Sequence, residues 1–322
     1  MTMRALGIDV AKVKFDAALL LDGKLKFRSF ANSPQGFSDL QDWWLSLGVE
    51  NVHVCLEATG VYGEALSEWL FDQGQSVSVV NPAQARDFAR SLLIRNKTDA
   101  VDAAVLARLC TALTPALWSP PPLPVRTLRA LLRRLAALEE TRQQERNRQL
   151  IAEASVQGSI QRHLDFLDQD IADLKQRIQD HIDQDPGLKQ KQDLLQTIPG
   201  IGAVVSQNLL SWSHRIADFE NARQLAAFAG LTPKRHESGT SVHGKTRLSK
   251  IGHADLRRLL YFPAMNAIRH NPLLKAFADR LRQSGKPPKL ILAAAMRKLL
   301  HIAFGVLKSG KPFNPNILAK TA

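Results

Sequence analysis

The sequence predicts an α/β domain at the N-terminus, a helical coiled-coil middle segment and a mainly α C-terminal domain. Three observations predict it. Residues 4–80 carry three strand-like runs in succession and then alternate strand-like with helix-like segments, the order of a mixed sheet covered by helices. A Pro-rich stretch, "TPALWSPPPLPV" at 114–125, then interrupts the chain. Proline neither continues a helix nor donates to a sheet ladder, so this stretch reads as a linker. Beyond it, 126–184 is nearly free of Gly and Pro and repeats Leu and Ile at helical spacing. A chain of 322 residues exceeds one ordinary core, and these breaks divide it into 1–113, 114–125, 126–185 and 186–322.

Taken in order, "RALGIDV" (4–10) reads as a short buried strand, and "KFDAALLL" and "KLKFRSFA" as two more joined by the Asp22-Gly23 turn. A helix is expected at about 35–47, a strand in "NVHVCLEA" (51–58), a helix at about 61–73 and a strand in "SVSVV" (76–80). Pro82 opens another helix, and 98–110 forms the next, with Thr98 suited to its N-cap. In the middle segment Leu164, Leu167, Ile171, Leu174, Ile178 and Ile182 recur three and four apart, as in a coiled-coil seam. Packing within the chain and oligomerisation would both use that seam. "DLLQTIPGIGAVVSQNLLS" (193–211) reads as a helix-hairpin-helix, in which Gly200 and Gly202 suit a tight turn whose N–H groups favour a phosphate. A plain helical turn is the competing reading. Two helices then flank a polar loop at about 232–250, and "PKLILAAAMRKLLHIAFGVLKSG" (288–310) supplies a last apolar helix.

Composition narrows the class of function. The chain is 45% hydrophobic and 23% charged, and its first residues lack the pattern of a signal peptide. No apolar run reaches the roughly 20 residues of a membrane span, so a soluble, cytoplasmic protein without membrane partners is expected. Cys55 and Cys110, the two cysteines, sit in apolar contexts and read as buried thiols without zinc spacing. The net charge of +13 is concentrated: Lys234–Lys311 carries 17 Lys/Arg against three acids. Such clustering points to a phosphate-binding face. Lys234, Arg235, Lys245, Arg247, Lys250, Arg257 and Arg258 are its candidate contacts, together with Lys97 in the first domain.

Asp9 closes the first strand and Glu57 the fourth, while Asp99 and Asp102 lie at i and i+3 on one helix face. Each has a bland reading; Asp99, for example, also suits the positive end of a helix. Together, four hard oxygen donors fit Mg²⁺ or Mn²⁺, and such ions assist displacement at a phosphodiester. In "KRHESGTSVHGKTRLSKIG", Ser238, Ser241 and Ser249 lie among basic side chains. Serine needs activation and charge neutralisation to attack phosphorus, and chemistry alone favours simple phosphate contact for these hydroxyls.

With "GID", "EATG" and "NKTDAVDA" around the four acids, and "IPGIG", "FAGLTP", "SG", "LRRLLY" and "AFGVLKSGKPF" beyond, the chain resembles the DEDD transposases and DNA invertases of bacterial insertion sequences. The resemblance spans nearly the whole chain. It implies an RNase-H/RuvC-like N-terminal domain, a composite active site with Mg²⁺ (or Mn²⁺) at Asp9, Glu57, Asp99 and Asp102, and a serine nucleophile. The Ser-Gly dipeptide assigns that serine to Ser238, with Ser241 as competitor, forming a phosphoserine link to DNA. It also implies double-stranded donor and target DNA, a structured guide RNA encoded by the element, and a homo-oligomer, dimer or tetramer, on DNA. A RuvC-like nuclease or junction resolvase, needing the carboxylates but not Ser238, is the alternative. A degenerate nucleic-acid-binding fold is disfavoured by the intact quartet. An actin-like sugar kinase is disfavoured by the lack of a second Gly-rich phosphate loop.

Overall fold

Short, near-continuous apolar runs build the central strands of a five-stranded sheet from the first 80 residues. The structure is a computed structural model and describes residues 4–58, 60–94, 98–234, 237–238, 242–243, 247–249 and 251–316, with 217, 237, 238, 242 and 243 described by their backbone. The chain divides into two units, Met1–Pro120 and Pro121–Ala322.

In the first unit β1 (Arg4–Val10), β2 (Lys14–Leu21) and β3 (Lys24–Ala31) form an antiparallel meander. Asp22 and Gly23 both have positive φ, 49° and 79°, the geometry a two-residue hairpin turn requires. After α1 (Pro34–Ser46), β4 (Val52–Glu57) adds parallel to the free side of β1. A turn and α2 (Glu64–Asp72) then lead to β5 (Ser76–Val80), giving the order β3-β2-β1-β4-β5. Next come α3 (Pro82–Ser91) and α4 (Asp99–Leu113).

The two-residue period of a strand decides which side chains meet which helix. Leu6, Ile8, Phe15, Leu19, Val54 and Leu56 share a core with Phe37, Leu40, Trp43, Trp44, Leu66 and Leu70 of α1 and α2. The alternate positions, Ala5 and Cys55 among them, pack with Leu106, Leu109 and Cys110 of α4 on the opposite face. Cys55 and Cys110 are buried free thiols, as expected. Residues 115–118 run beside β5: the Ser78 hydroxyl lies 3.0 Å from the Pro115 and Ala116 carbonyls, and the Trp118 N–H donates to the Val77 carbonyl at 2.7 Å.

The second unit is mainly helical. Its first helices, α5 (Leu123–Gln149) and α6 (Ala154–Gln184), form an antiparallel hairpin tied by Arg142–Asp168, 2.9 Å, and Lys175–Glu139, 3.1 Å. The Leu/Ile seam of α6 is buried in the same core as Val125, Leu128, Leu132, Leu135 and Leu138 of α5, so this chain fills it itself. The helices α7 (Pro186–Gln196), α8 (Ala203–Leu210), α9 (Ser213–Asp218) and α10 (Ala222–Phe228) follow.

Where a plain polar loop was expected, four two-residue strands form two antiparallel rungs: β6 (Pro233–Lys234) pairs with β9 (Arg247–Leu248), and β7 (Glu237–Ser238) with β8 (Val242–His243). Strands this short carry no readable period, and Gly and Ser mask their pairing. The unit closes with α11 (Ala254–Leu259), α12 (Tyr261–His270), α13 (Pro272–Gln283) and α14 (Pro288–Ser309). Contrary to the sequence reading, α14 is long and apolar enough to cross a membrane, the one such helix among the described residues. Ile291, Ala295, Leu299, Leu300 and Ala303 bury it in the core of the unit.

Candidate active site

Strand register brings the first two acids together. Ile8 pairs with Leu56 in the parallel ladder, so Asp9 and Glu57 follow side by side on the face that α4 covers. Asp9 also pairs with Asp16 across the antiparallel ladder. Each acid is half-buried at or near a strand end, where taking charge out of water is costly.

The other two acids depend on how closely α4 approaches. Gly7 lies under it: a Cβ there would stand 2.0 Å from the Ala103 carbonyl oxygen and 2.3 Å from the Ala107 nitrogen. Glycine therefore lets the helix backbone rest on β1, and Ala18, Ala103, Ala104 and Ala107 complete this small-residue contact. Thr98 caps the helix as expected, its hydroxyl accepting from the Val101 N–H at 3.3 Å, and Asp99 and Asp102 occupy the first turn.

The consequence is electrostatic. Burial, and after it the charges of Asp102, Asp99, Glu57 and Asp16, push the Asp9 carboxyl up to about 6. The four acids singled out in the sequence thus share one field, with Asp9 at its centre. Among the described residues no three His, Cys, Asp or Glu side chains are drawn to metal-ligand distance. The donors nevertheless suit a hard divalent cation: all are carboxylate oxygens, and their mutual repulsion asks for positive charge.

One cation of the chain already lies among them. Lys14 Nζ is 2.8 Å from Asp16 Oδ2 and 3.0 Å from Asp99 Oδ2, and these bonds raise the lysine's pKa. Burial opposes charge on Asp16, but hydrogen bonds from Lys14 and Ser29 outweigh it and hold that carboxyl below its usual value. Asn32 braces the same end of the sheet: its Nδ2 donates to the carbonyls of Ala11 and Tyr62, both at 3.0 Å, joining the segments that follow Asp9 and Glu57. Sequence reasoning missed Lys14, Asp16, Ser29 and Asn32. The hairpin register was the available signal for Asp16, since a three-residue connection between β1 and β2 sets it opposite Asp9.

In the second unit, Ser238 lies on the outer rung of the paired strands, in register with Val242. Lys234 and Arg247 face each other across the inner rung, and both are exposed. Arg258 is exposed beside Asp255 at 3.2 Å, whereas Arg257 donates to the Ala229 carbonyl at 3.2 Å and so ties α11 to the end of α10. Gly200 has φ 104°, and a Cβ on it would stand 2.6 Å from Ala267 Cβ, so packing against α12 accounts for that glycine. Gly202 precedes α8 as its N-cap, with open space around it. Lys97, Arg235, Ser241, Lys245 and Lys250 lie outside the described residues.

Comparison with known proteins gives the class first. Residues 6–154 match the family model of DEDD-type insertion-sequence proteins described as "Transposase", and residues 192–279 match "Transposase IS116/IS110/IS902 family". Two proteins named "Pilin gene-inverting protein", from Moraxella bovis and Moraxella lacunata, are each 34% identical over 320 residues, covering 98% of this chain and 99% of theirs. The transposase of insertion sequence element IS1111A from Coxiella burnetii is 37% identical over 76 residues, covering 24% of this chain and 21% of its own. Among solved structures, Thermus thermophilus RuvC in complex with a Holliday junction substrate covers 33% of this chain and 90% of its own, at 14% identity and a TM-score of 0.26, too low to carry an argument. The class is that of the transposases, enzymes that recombine DNA. The chain belongs to the IS116/IS110/IS902 family of DEDD transposases.

Proposed function

We propose that this transposase cuts and rejoins DNA with two sets of residues, a cation-binding carboxylate quartet in the first unit and a serine nucleophile in the second. The single observation that carries the first half is the coupling of Asp9 to Glu57, Asp99 and Asp102. Asp9 and Glu57 hold the cation from the sheet, and Asp99 and Asp102 from the first turn of α4. Mg²⁺ or Mn²⁺, when bound, supplies positive charge to the phosphate oxygens and to the group being displaced.

Ser238 forms the new bond. Its Oγ attacks the phosphorus of a DNA phosphodiester, the bond to one sugar oxygen breaks, and that oxygen leaves with a proton. The resulting phosphoserine ester conserves the bond energy until a hydroxyl of the exchanged strand attacks it, restoring Ser238. Ser241, two residues beyond Gly239, is the competing nucleophile. Exposed Lys234, Arg247 and Arg258 bind backbone phosphates in this reading, and a structured RNA encoded by the element guides the choice of DNA, as the family implies. Inversion of a DNA segment, the reaction in the names of the Moraxella relatives, is one outcome of such cutting and rejoining. The family membership does not favour a simple RuvC-like nuclease.

The test incubates the full chain with Mg²⁺ and DNA carrying its element's ends, with and without the element's RNA, followed by denaturing gels. Covalent protein–DNA adducts are expected from the wild type, and Ser238→Ala is expected to lose both adducts and strand cleavage. Cleavage undiminished in Ser238→Ala would overturn the serine role, and adducts formed equally well without RNA would overturn the guide.

A further inference from the structure

Lys14 stands out because its charge opposes the role read for its neighbours. Its ammonium sits between a strand and the first turn of a helix, 2.8 Å from Asp16 Oδ2 and 3.0 Å from Asp99 Oδ2. Both carboxylates belong to the field centred on Asp9, and Asp99 is a proposed cation ligand. An ammonium donates hydrogen bonds and carries a full positive charge, but it cannot coordinate a metal. At Asp99 it therefore takes one of the two carboxylate oxygens that an arriving cation would use. Asp16 differs from Asp99 in being held on its other oxygen by the Ser29 hydroxyl, so it is a fixed anchor for the lysine. The Asp99 side chain is 56% exposed and that of Lys14 50%, which leaves both free to rearrange.

We infer that Lys14 is a built-in competitor for the cation: its ammonium holds Asp99 Oδ2 and must yield that oxygen for a cation to take it. Asp16 retains the displaced lysine at the edge of the site. Lys14 is thus a positioning residue that sets how readily the site loads, an inference that rests on the carboxylate quartet being the cation site.

Calorimetric titration of Mn²⁺ into the full chain, without DNA, tests this apart from catalysis. Lys14→Gln is expected to tighten Mn²⁺ binding roughly fivefold, the order of effect for one charge at a few ångströms in a well-solvated setting. Lys14→Arg, which keeps the charge, is expected to stay close to the wild type, and thermal unfolding of each variant verifies that the fold is kept. Asp9→Asn separates the two levels of the argument. Binding by the wild type that Asp9→Asn abolishes, with Lys14→Gln unchanged or weaker, overturns the competitor role alone. No binding by the wild type, or equal binding by Asp9→Asn, overturns the carboxylate site and the competitor role with it.

Discussion

At the scale of single residues, Asp9 carries the most consequence. Its carboxyl lies at about 6 rather than 3.8 because burial and four neighbouring carboxylates disfavour its charge. The folded protein therefore holds a proton that the unfolded chain has released between about pH 4 and pH 6. This contribution to stability is absent above the folded value and grows as pH falls through 6 towards 4. In metal-free buffer, Asp9→Asn is expected to be more stable than the wild type at pH 7.5, with the gap narrowing at pH 5. Urea unfolding of both proteins in EDTA at the two pH values checks this. A wild type as stable as the variant at pH 7.5 would contradict the crowded-carboxylate reading. The same substitution is expected to reduce strand cleavage by orders of magnitude, so stability and activity should move in opposite directions.

At the scale of elements, the decisive contact is α4 on β1. It rests on a missing side chain, since a Cβ at residue 7 would enter the helix backbone near Ala103 and Ala107. Gly7→Ala is expected to destabilise the first unit by about 1–3 kcal/mol, the usual range for overpacking, and to weaken Mn²⁺ binding by lifting Asp99 and Asp102 away from Asp9. Thermal unfolding and calorimetry would measure the two effects, and an unchanged metal affinity would mean that helix height does not govern the site. The strands and helices of this unit were legible as short apolar runs set between helix-like segments and punctuated by Asp22-Gly23 and Pro82. The acids at positions 9, 57, 99 and 102 were legible as unusual charges at strand and helix ends. Lys14 and Asp16 were not, because in "KFDAALLL" they look like ordinary polar positions of an alternating strand. Only the register of the ladder gives them meaning. The short strands that carry and flank Ser238 were hidden for a different reason: two residues are too few to show a period, so only the pairing partner defines them.

Across the whole molecule, charge is divided between the units. Residues 1–120 carry 11 Lys/Arg against 13 Asp/Glu, while residues 121–322 carry 32 against 17. The acidic cluster thus belongs to a unit of slightly negative net charge, and the second unit carries the basic surplus, which suits attraction to a polyanion such as DNA. DNA affinity is therefore expected to fall steeply with added salt, each neutralised phosphate contributing about 0.9 to the logarithmic slope on duplex DNA. Replacing both Lys234 and Arg247 with Gln should reduce that slope by about two if each contacts a phosphate. Binding isotherms over a range of salt concentrations provide the check, and an unaltered slope would remove this pair from the DNA-binding face.

The segment that leaves the first unit has a further consequence, for handling the protein. A sheet has two edges, and each edge strand offers unpaired backbone groups to other chains. At one edge, β3 carries Lys24, Lys26 and Arg28, whose charges discourage docking. At the other, β5 has no such guard; the Trp118 N–H on the Val77 carbonyl and the Pro115 and Ala116 carbonyls at Ser78 keep the chain's own backbone alongside it. A fragment cut after Leu113, where α4 ends, would strip this cover and leave a sticky strand edge. A fragment ending at Pro120 would keep it, so the shorter piece should aggregate where the longer one stays dispersed.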